Sequence, residues 1–171
     1  KVTTIKSFQT KYLSKKNIKK IFEIKNENWK YGLNSQKKFF IKNILPDDYH
    51  VLLFFKKKLI GYTAFRKRKI ISNKLRQNYL LLDTIIISKK YRKKTFTKKL
   101  MMFNVNLIKK SKISCFLFCN KAKTRFFKRY NWTILPKSRF KVEDKITKKC
   151  CMCLNTKFKK GKNIKIFIDN S

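Results

Sequence analysis

Glycine and proline are almost missing from this chain, at 3 and 2 residues of 171. That scarcity excludes collagen-like, proline-rich and flexible-linker architectures, and it leaves the turns to be made by other residues. Acidic residues are nearly as rare, 8 against 47 Lys and Arg, so the formal net charge is +39. His50 is the one histidine, which excludes histidine-rich metal sites. Apolar runs never approach the ~18 residues of a membrane span, so an integral membrane protein is not expected. The five cysteines are an odd count in a chain large enough to fold without staples, which points away from a secreted disulfide framework and toward a reducing compartment. Cys150, Cys151 and Cys153 crowd together, yet no second pair stands at zinc-ligand spacing. They read as small apolar strand residues, and no metal is expected. No apolar leader follows Lys1, and the expected location is cytoplasmic.

What is present is enough to fold. The chain is 43% hydrophobic and 15% aromatic, and a chain of this size buries roughly 70% of its unfolded surface. One domain spanning residues 1–171 is expected, without repeats or linkers. Lysines stand in nearly every block of ten, so the charge is dispersed rather than clustered. The sequence also lacks an RNA-binding aromatic motif, zinc-finger spacing and a basic heptad region. Such a surface attracts polyanions without selectivity, over about a Debye length of ~8 Å. Nucleic acid is therefore expected only as a non-specific partner.

Val2 to Ser7 reads as a first strand. Ser14 is placed to cap a helix carrying Ile18, Ile21 and Phe22 on one face, and a second helix from Ser35 must stop before Pro46. His50–Phe55 and Leu59–Phe65 form a hairpin around a turn at Lys56 to Lys58, and Ser72–Asn78 is a polar connection. Tyr79–Ser88 is dense in branched residues and reads as a strand buried on both faces. A long helix starts near Thr95, with Phe96, Leu100, Phe103 and Leu107 in one stripe widened by Met101, Val105 and Ile108. Cys115–Cys119 is a second buried strand, parallel to the first because a helix crosses between them. A helix over Lys121–Tyr130 and strands at Trp132–Leu135, Cys150–Asn155 and Ile164–Ile168 follow, with a turn at Lys159 to Asn163.

The stretch between Ile87 and Leu100 carries the most chemistry. A buried strand ends in Lys89, Lys90, Tyr91, Arg92, Lys93 and Lys94 where a helix begins, and unpaired N–H groups at a helix start attract phosphate. An ordinary solvated loop stays open as the alternative.

The run Arg92-Lys93-Lys94-Thr95-Phe96-Thr97 resembles the coenzyme A loop of the GNAT superfamily of N-acetyltransferases, Q/R-x-x-G-x-G/A before a long helix. Arg92 takes the first position, and Thr95 and Thr97 replace the two glycines. Asn120-Lys121-Ala122 and Phe126-Phe127-Lys128-Arg129-Tyr130-Asn131-Trp132 are similar to the family's N-x-x-A and F-Y-x-x-x-G-F. There, Phe127 stands for the tyrosine and Asn131 for the glycine. Ile60-Gly61 in the hairpin also matches.

The resemblance implies an α/β (α+β) fold, a mixed central sheet of roughly six to seven strands flanked by about four helices. It implies strands Leu80–Ser88 and Cys115–Cys119 splayed apart, with the acyl thioester in the gap. Pantetheine amides would pair with backbone at Ile85, Ile86 and Ile87. Pyrophosphate would rest on N–H groups from Lys93, Lys94, Thr95, Phe96 and Thr97, with Asn120 and Phe127 as further cofactor contacts. If a glycine position required a left-handed backbone, threonine there would cost roughly 1–2 kcal/mol.

The implied activity is transfer of an acetyl or other acyl group from acetyl coenzyme A to a primary amine. Such a reaction needs a base and sometimes an acid for the thiolate. Asp83 stands among leucines and isoleucines of the central strand, and burial there would suit it to accept a proton. Pairing with a lysine is its structural alternative. Tyr130 is the remaining phenol for the acid once Phe127 replaces tyrosine, Asn120 also reads as a helix cap, and His50 reads as structural. A +39 surface repels cationic acceptors, so a small neutral or anionic amine is expected. Oligomeric state stays open, a dimer included. Missing glycines and tyrosine keep open an inactive coenzyme A-binding or partner-binding domain, and the charge keeps open a nucleic-acid-binding module.

Overall fold

Two pairs of residues with left-handed backbone shape the strands that follow them. Lys56 and Lys57, with φ of 47° and 63°, join β2 (Tyr49–Phe55) to β3 (Lys58–Ser72), and Asn73 and Lys74, with φ of 57° and 63°, join β3 to β4 (Leu75–Ile87). Two-residue loops with φ > 0 at both positions match the right-handed twist of a hairpin. Glycine usually fills them, and here lysine and asparagine do. The computed structural model describes residues 2–156 and 163–168.

The strands form one mixed sheet in the order β1-β2-β3-β4-β5-β8-β6, with β9 pairing β3 and β7. Here β1 is Thr3–Gln9, β5 Cys115–Cys119, β6 Thr133–Leu135, β7 Phe140–Val142, β8 Cys150–Leu154 and β9 Ile164–Ile166. The four α-helices are α1 (Lys15–Asn28), α2 (Leu33–Asn43), α3 (Lys94–Ser111) and α4 (Thr124–Lys128). The seven strands of the continuous path match the expected sheet, and β7 and β9 add to it. Two compact units divide the described chain: Lys1–Arg66 with Thr84–Asn104, and Lys67–Asp83 with Val105–Ser171. Strands β3 and β4 and helix α3 run from one unit into the other.

In the first unit, β1, β2 and β3 are antiparallel, with a register shift at Leu53/Phe54. Ser14 Oγ accepts from Asn17 N at 3.2 Å, so α1 starts where the cap predicts. Its buried face, Ile21 and Ile24, packs with Leu52, Leu59, Tyr62, Ala64 and Ile86. Helix α2 begins at Leu33 after Gly32, whose φ of 88° is left-handed. Buried Asn104 of α3 donates from Nδ2 to Thr63 Oγ1 at 2.9 Å. Gly61 permits a close approach, since a Cβ there would stand 2.9 Å from Ile87 Cδ1 and 3.0 Å from Leu53 Cδ2.

In the second unit, β4 pairs in parallel with β5 at Leu80–Cys115 and Leu81–Phe116, and β5 pairs antiparallel with β8 along its whole length. Strand β6 lies on the other side of β8, and β9 joins the end of β3 at Ile70–Ile166. The core gathers Ile70, Tyr79, Leu81, Phe116, Leu135, Phe140, Cys151, Cys153, Ile164 and Ile166. The Tyr79 hydroxyl donates to the Phe167 carbonyl.

Two expectations are corrected. Ser72–Asn78 is not a connection: β3 runs to Ser72, the turn is Asn73-Lys74, and β4 starts at Leu75. The Lys121–Tyr130 helix is a 3-10 turn, Lys121–Lys123, followed by the short α4. Strand β7 lies in a segment without a sequence signal. The turn expected at Lys159 to Asn163 lies, but for Asn163, outside the described residues. Among the described residues no helix is long and apolar enough to cross a membrane.

Candidate functional site

The end of β4, the loop after it and the start of α3 belong to the first unit. Ile86 is buried in that unit's core, Ile87 packs near Gly61, and Ile85 is half-buried. Ser88 N donates to Ile60 O at 2.8 Å, which carries the β4 end along β3. A single 3-10 turn, Lys89–Tyr91, then leads to α3.

Two residues at the end of α1 fix this loop. Each Glu27 carboxylate oxygen lies 2.9 Å from the Ser88 hydroxyl that donates to it, and Oε1 also accepts from Lys89 N at 2.8 Å. Arg92 donates from Nε to Ile87 O at 3.0 Å and from Nη2 to Asn28 Oδ1 at 2.8 Å. Charge-assisted bonds of this kind are roughly twice as strong as neutral ones. Arg92, at the first motif position, therefore ties the loop to the strand end and to α1. The sequence reading missed Glu27 and Asn28. The available signal was the rarity of carboxylates, which makes any acid facing a basic loop informative.

At the helix start, Phe96 N and Thr97 N donate to Lys93 O at 3.1 and 3.2 Å. Among the described residues the N–H groups of Lys94 and Thr95 reach no acceptor, as expected for a first helical turn. Arg92, Lys93, Lys94 and Thr95 are exposed. Phe96 is half-buried, its ring 5.2 Å from Phe55 and 6.1 Å from Tyr91. Neither Thr95 nor Thr97 has a positive φ. Both sit in right-handed helix, so the strain that replacing glycine could bring does not arise. The arrangement offers two free N–H donors at the positive end of an 18-residue helix, set among cations, which is a donor set suited to a diphosphate.

The other predicted residues belong to the second unit. Asp83 is half-buried on β4, not buried as expected. Alternation gives the buried side to Leu82 and Thr84. Asn120 is exposed, and its side chain makes no cap bond to the turn that follows, against the capping role read from sequence. Phe127 is buried with its ring 5.1 Å from Phe126 and 6.1 Å from Trp132, while half-buried Tyr130 packs on Phe126 at 5.6 Å. Asn131 has φ of 67°, the left-handed backbone that glycine commonly supplies after a helix. The substitution changes the residue and keeps the turn.

His50 is buried, as its structural reading requires. Its ring lies between Phe40 and Tyr62, with Nε2 2.8 Å from Thr10 Oγ1 and Nδ1 2.7 Å from the Tyr62 hydroxyl. Burial, assisted by the Lys25 charge, lowers its pKa from 6.5 to about 4. Among the described residues no three His, Cys, Asp or Glu gather to hold a metal. A cleft of about 300 Å³ beside α1 is lined by Lys20, Glu23, Ile24, Glu27, Lys58 and Leu59. A wider one of about 760 Å³ in the second unit, lined by Lys74, Lys137, Phe140 and Lys165 among others, contains none of the predicted site residues.

No protein-family model matches the sequence, and no curated protein sequence matches it. Solved structures do match. An acyl-CoA N-acyltransferase from Pseudomonas aeruginosa aligns with a TM-score of 0.65 at 12% identity, over 88% of this chain and 98% of that one. The ribosomal-protein-S18-alanine N-acetyltransferase from Escherichia coli aligns at 0.59 and 12% identity, over 93% and 97%. A PaiA N-acetyltransferase from Thermoplasma acidophilum, in complex with coenzyme A, aligns at 0.50 and 21% identity, over 88% and 98%. At such identities the likeness is one of backbone path, and by that path this chain has the mixed α/β fold of the GNAT N-acetyltransferases.

Proposed function

We propose that the chain is an acyltransferase of GNAT type, one domain throughout, that transfers an acetyl or other acyl group from coenzyme A to a primary amine of a small molecule. The observation that carries the reading is the β4–α3 junction of the first unit. There, unpaired N–H groups of Lys94 and Thr95 sit in a loop of cations that Glu27 and Asn28 hold in place. The fold and the coenzyme A complex of one neighbour support the same reading.

In this proposal Ile85, Ile86 and Ile87 offer strand backbone to the pantetheine amides. Lys94 and Thr95 offer free backbone N–H groups and the loop offers cationic charge to the diphosphate, with Asn120 and Phe127 as further contacts. The N–H groups of Lys93, Phe96 and Thr97 are bonded already to the Tyr91 and Lys93 carbonyls. Bound acyl-CoA supplies an activated thioester carbonyl. Asp83 takes the proton that the acceptor ammonium must lose before its nitrogen can attack, and Tyr130 gives a proton to the departing thiolate. A thiolate leaves readily even unprotonated, so the acid matters less than the base. The basic surface favours a neutral or anionic acceptor.

A second reading, an inactive coenzyme A-binding domain, has one observation in its favour: Phe127 is buried against Trp132 and provides no phenol. Calorimetry with acetyl-CoA, followed by thiol release over a panel of amines, separates the two. Saturable binding with thiol release on at least one amine is expected. Binding without release on any amine selects the second reading, and absence of binding removes both.

A further inference from the structure

The five cysteines lie on β5 and β8 of the second unit, and strand register sorts them. On β5 and β8 the terminal residues Cys119 and Cys150 stand directly opposite each other. Cys151 and Cys153 instead face Phe118 and Phe116. Side chains alternate along a strand, so Cys150 and Cys151 project to opposite faces, and of the β8 cysteines only Cys150 shares a face with Cys119. Cys115 shares it too, but four residues away along β5 and opposite Leu154.

Accessibility selects the same pair. Cys115 and Cys151 are fully enclosed at 0% exposure and Cys153 is at 5%, whereas Cys119 reaches 8% and Cys150 is the one half-buried cysteine. Cys153 is also engaged by two hydroxyls, Thr133 Oγ1 at 3.4 Å and Thr156 Oγ1 at 3.5 Å.

We propose that Cys119 and Cys150, reduced in this structure, are a thiol pair built to close into a cross-strand disulfide on contact with a low-molecular-weight disulfide. Directly opposed Cβ atoms in an antiparallel pair stand about 4.5–5.5 Å apart, and a disulfide needs about 3.5–4.5 Å. Closure by roughly 1 Å is easiest at the last pair of a ladder, which is where these two lie. Burial, and then the neighbouring Cys150 thiol, raise the Cys119 pKa, while Lys123 and Lys149 pull the other way. The more exposed Cys150 is therefore the first nucleophile. Its thiolate attacks one sulfur of the small disulfide and releases one thiolate, leaving a mixed disulfide on Cys150. Cys119 then loses its proton to solvent and attacks the Cys150 sulfur, releasing the second small thiolate. In sum, two protein thiols and one small disulfide become one protein disulfide and two small thiols.

The test uses excess glutathione disulfide on the folded chain, acid quenching, alkylation and intact mass. The expected wild-type product has lost two hydrogen atoms, carries no glutathione and leaves three of the five thiols to be alkylated. Cys151→Ala keeps that product. Cys150→Ser stays unbridged, and Cys119→Ser stops at a glutathione adduct on Cys150. Five alkylated thiols in the wild type, a persistent glutathione adduct there, or an internal bond that survives Cys119→Ser or Cys150→Ser would each overturn the assignment.

Discussion

Lowering the pH from 7 to 5 should destabilise this protein through one side chain. His50 lies neutral between Phe40 and Tyr62, bonded at both nitrogens to the hydroxyls of Thr10 and Tyr62, and the charge of Lys25, which acts on it, is also positive. Its folded pKa is about 4 against 6.5 for a free imidazole. The unfolded chain thus binds a proton in this window that the folded chain refuses. A depressed histidine contributes its full share above pH 6.5 and loses it as pH falls toward 4. Applied between pH 7 and 5, the linkage relation gives a loss of about 2 kcal/mol. With a urea dependence of ~2 kcal/mol per molar, the unfolding midpoint drops by about 1 M. Most carboxylates titrate below pH 5, and this chain has only 8, so the window belongs largely to one group. Urea titrations followed by far-ultraviolet circular dichroism at the two pH values measure the drop. His50→Gln should be less stable at pH 7 by about 1–3 kcal/mol, since it loses the imidazole's bond to the half-buried Thr10 hydroxyl or to the buried Tyr62 hydroxyl, yet its midpoint should be nearly the same at both pH values. An unchanged wild-type midpoint, or an equal drop in His50→Gln, would refute the assignment of a neutral, enclosed imidazole.

Gly61→Ala pushes a methyl group to within 2.9 Å of Ile87 Cδ1 and 3.1 Å of Leu53 Cβ, so a loss of about 1–3 kcal/mol is expected by thermal melting. A melting temperature equal to wild type would mean that those strands give way freely. Lys74→Gly should raise stability by about 1 kcal/mol, because φ there is 63° and glycine adopts it without strain. A destabilised Lys74→Gly would contradict the turn geometry. Lys94→Glu with Thr95→Glu favours the helix start through its dipole while repelling a diphosphate. The pair should fold normally and bind acetyl-CoA at least about tenfold more weakly by calorimetry, and unchanged affinity would place the diphosphate elsewhere. Asp83→Asn should lower thiol-release turnover while leaving acetyl-CoA affinity near wild type; full turnover would remove Asp83 as the base.

Local signals were legible wherever one residue type decides one feature. Ser14 caps α1, Pro46 falls beyond the end of α2, and the branched run to Ile87 is the central strand. Of the α3 stripe Phe96, Leu100, Phe103 and Leu107, only Leu100 is fully buried; the enclosed positions are Leu100, Met101, Asn104, Val105 and Ile108, so the buried face is turned toward the residues that widened the stripe. Asn104 is enclosed with its Nδ2 bonded to Thr63 Oγ1, a partner 41 residues away that no periodicity reveals, while its Oδ1 is buried without a partner among the described residues. Polar runs misled most. Arg66, Arg68 and Ser72 are buried in β3, and Ser72–Asn78, where composition suggested a polar connection, is a strand end, a tight turn at Asn73-Lys74 and the start of β4. At the candidate site, Arg92 to Thr97 form one continuous segment and could be found by pattern. Glu27 and Asn28 lie more than 60 residues earlier, and only folding brings them to Ser88, Lys89 and Arg92.

The left-handed backbone at Asn131 separates a shape from the letter usually written for it. Motifs spelled with glycine describe a dihedral angle by its most tolerant occupant, and asparagine is the next most tolerant. A chain this poor in glycine can trace the same path while failing every pattern keyed to that residue. Kinship of such a molecule is better sought in its bends than in its spelling.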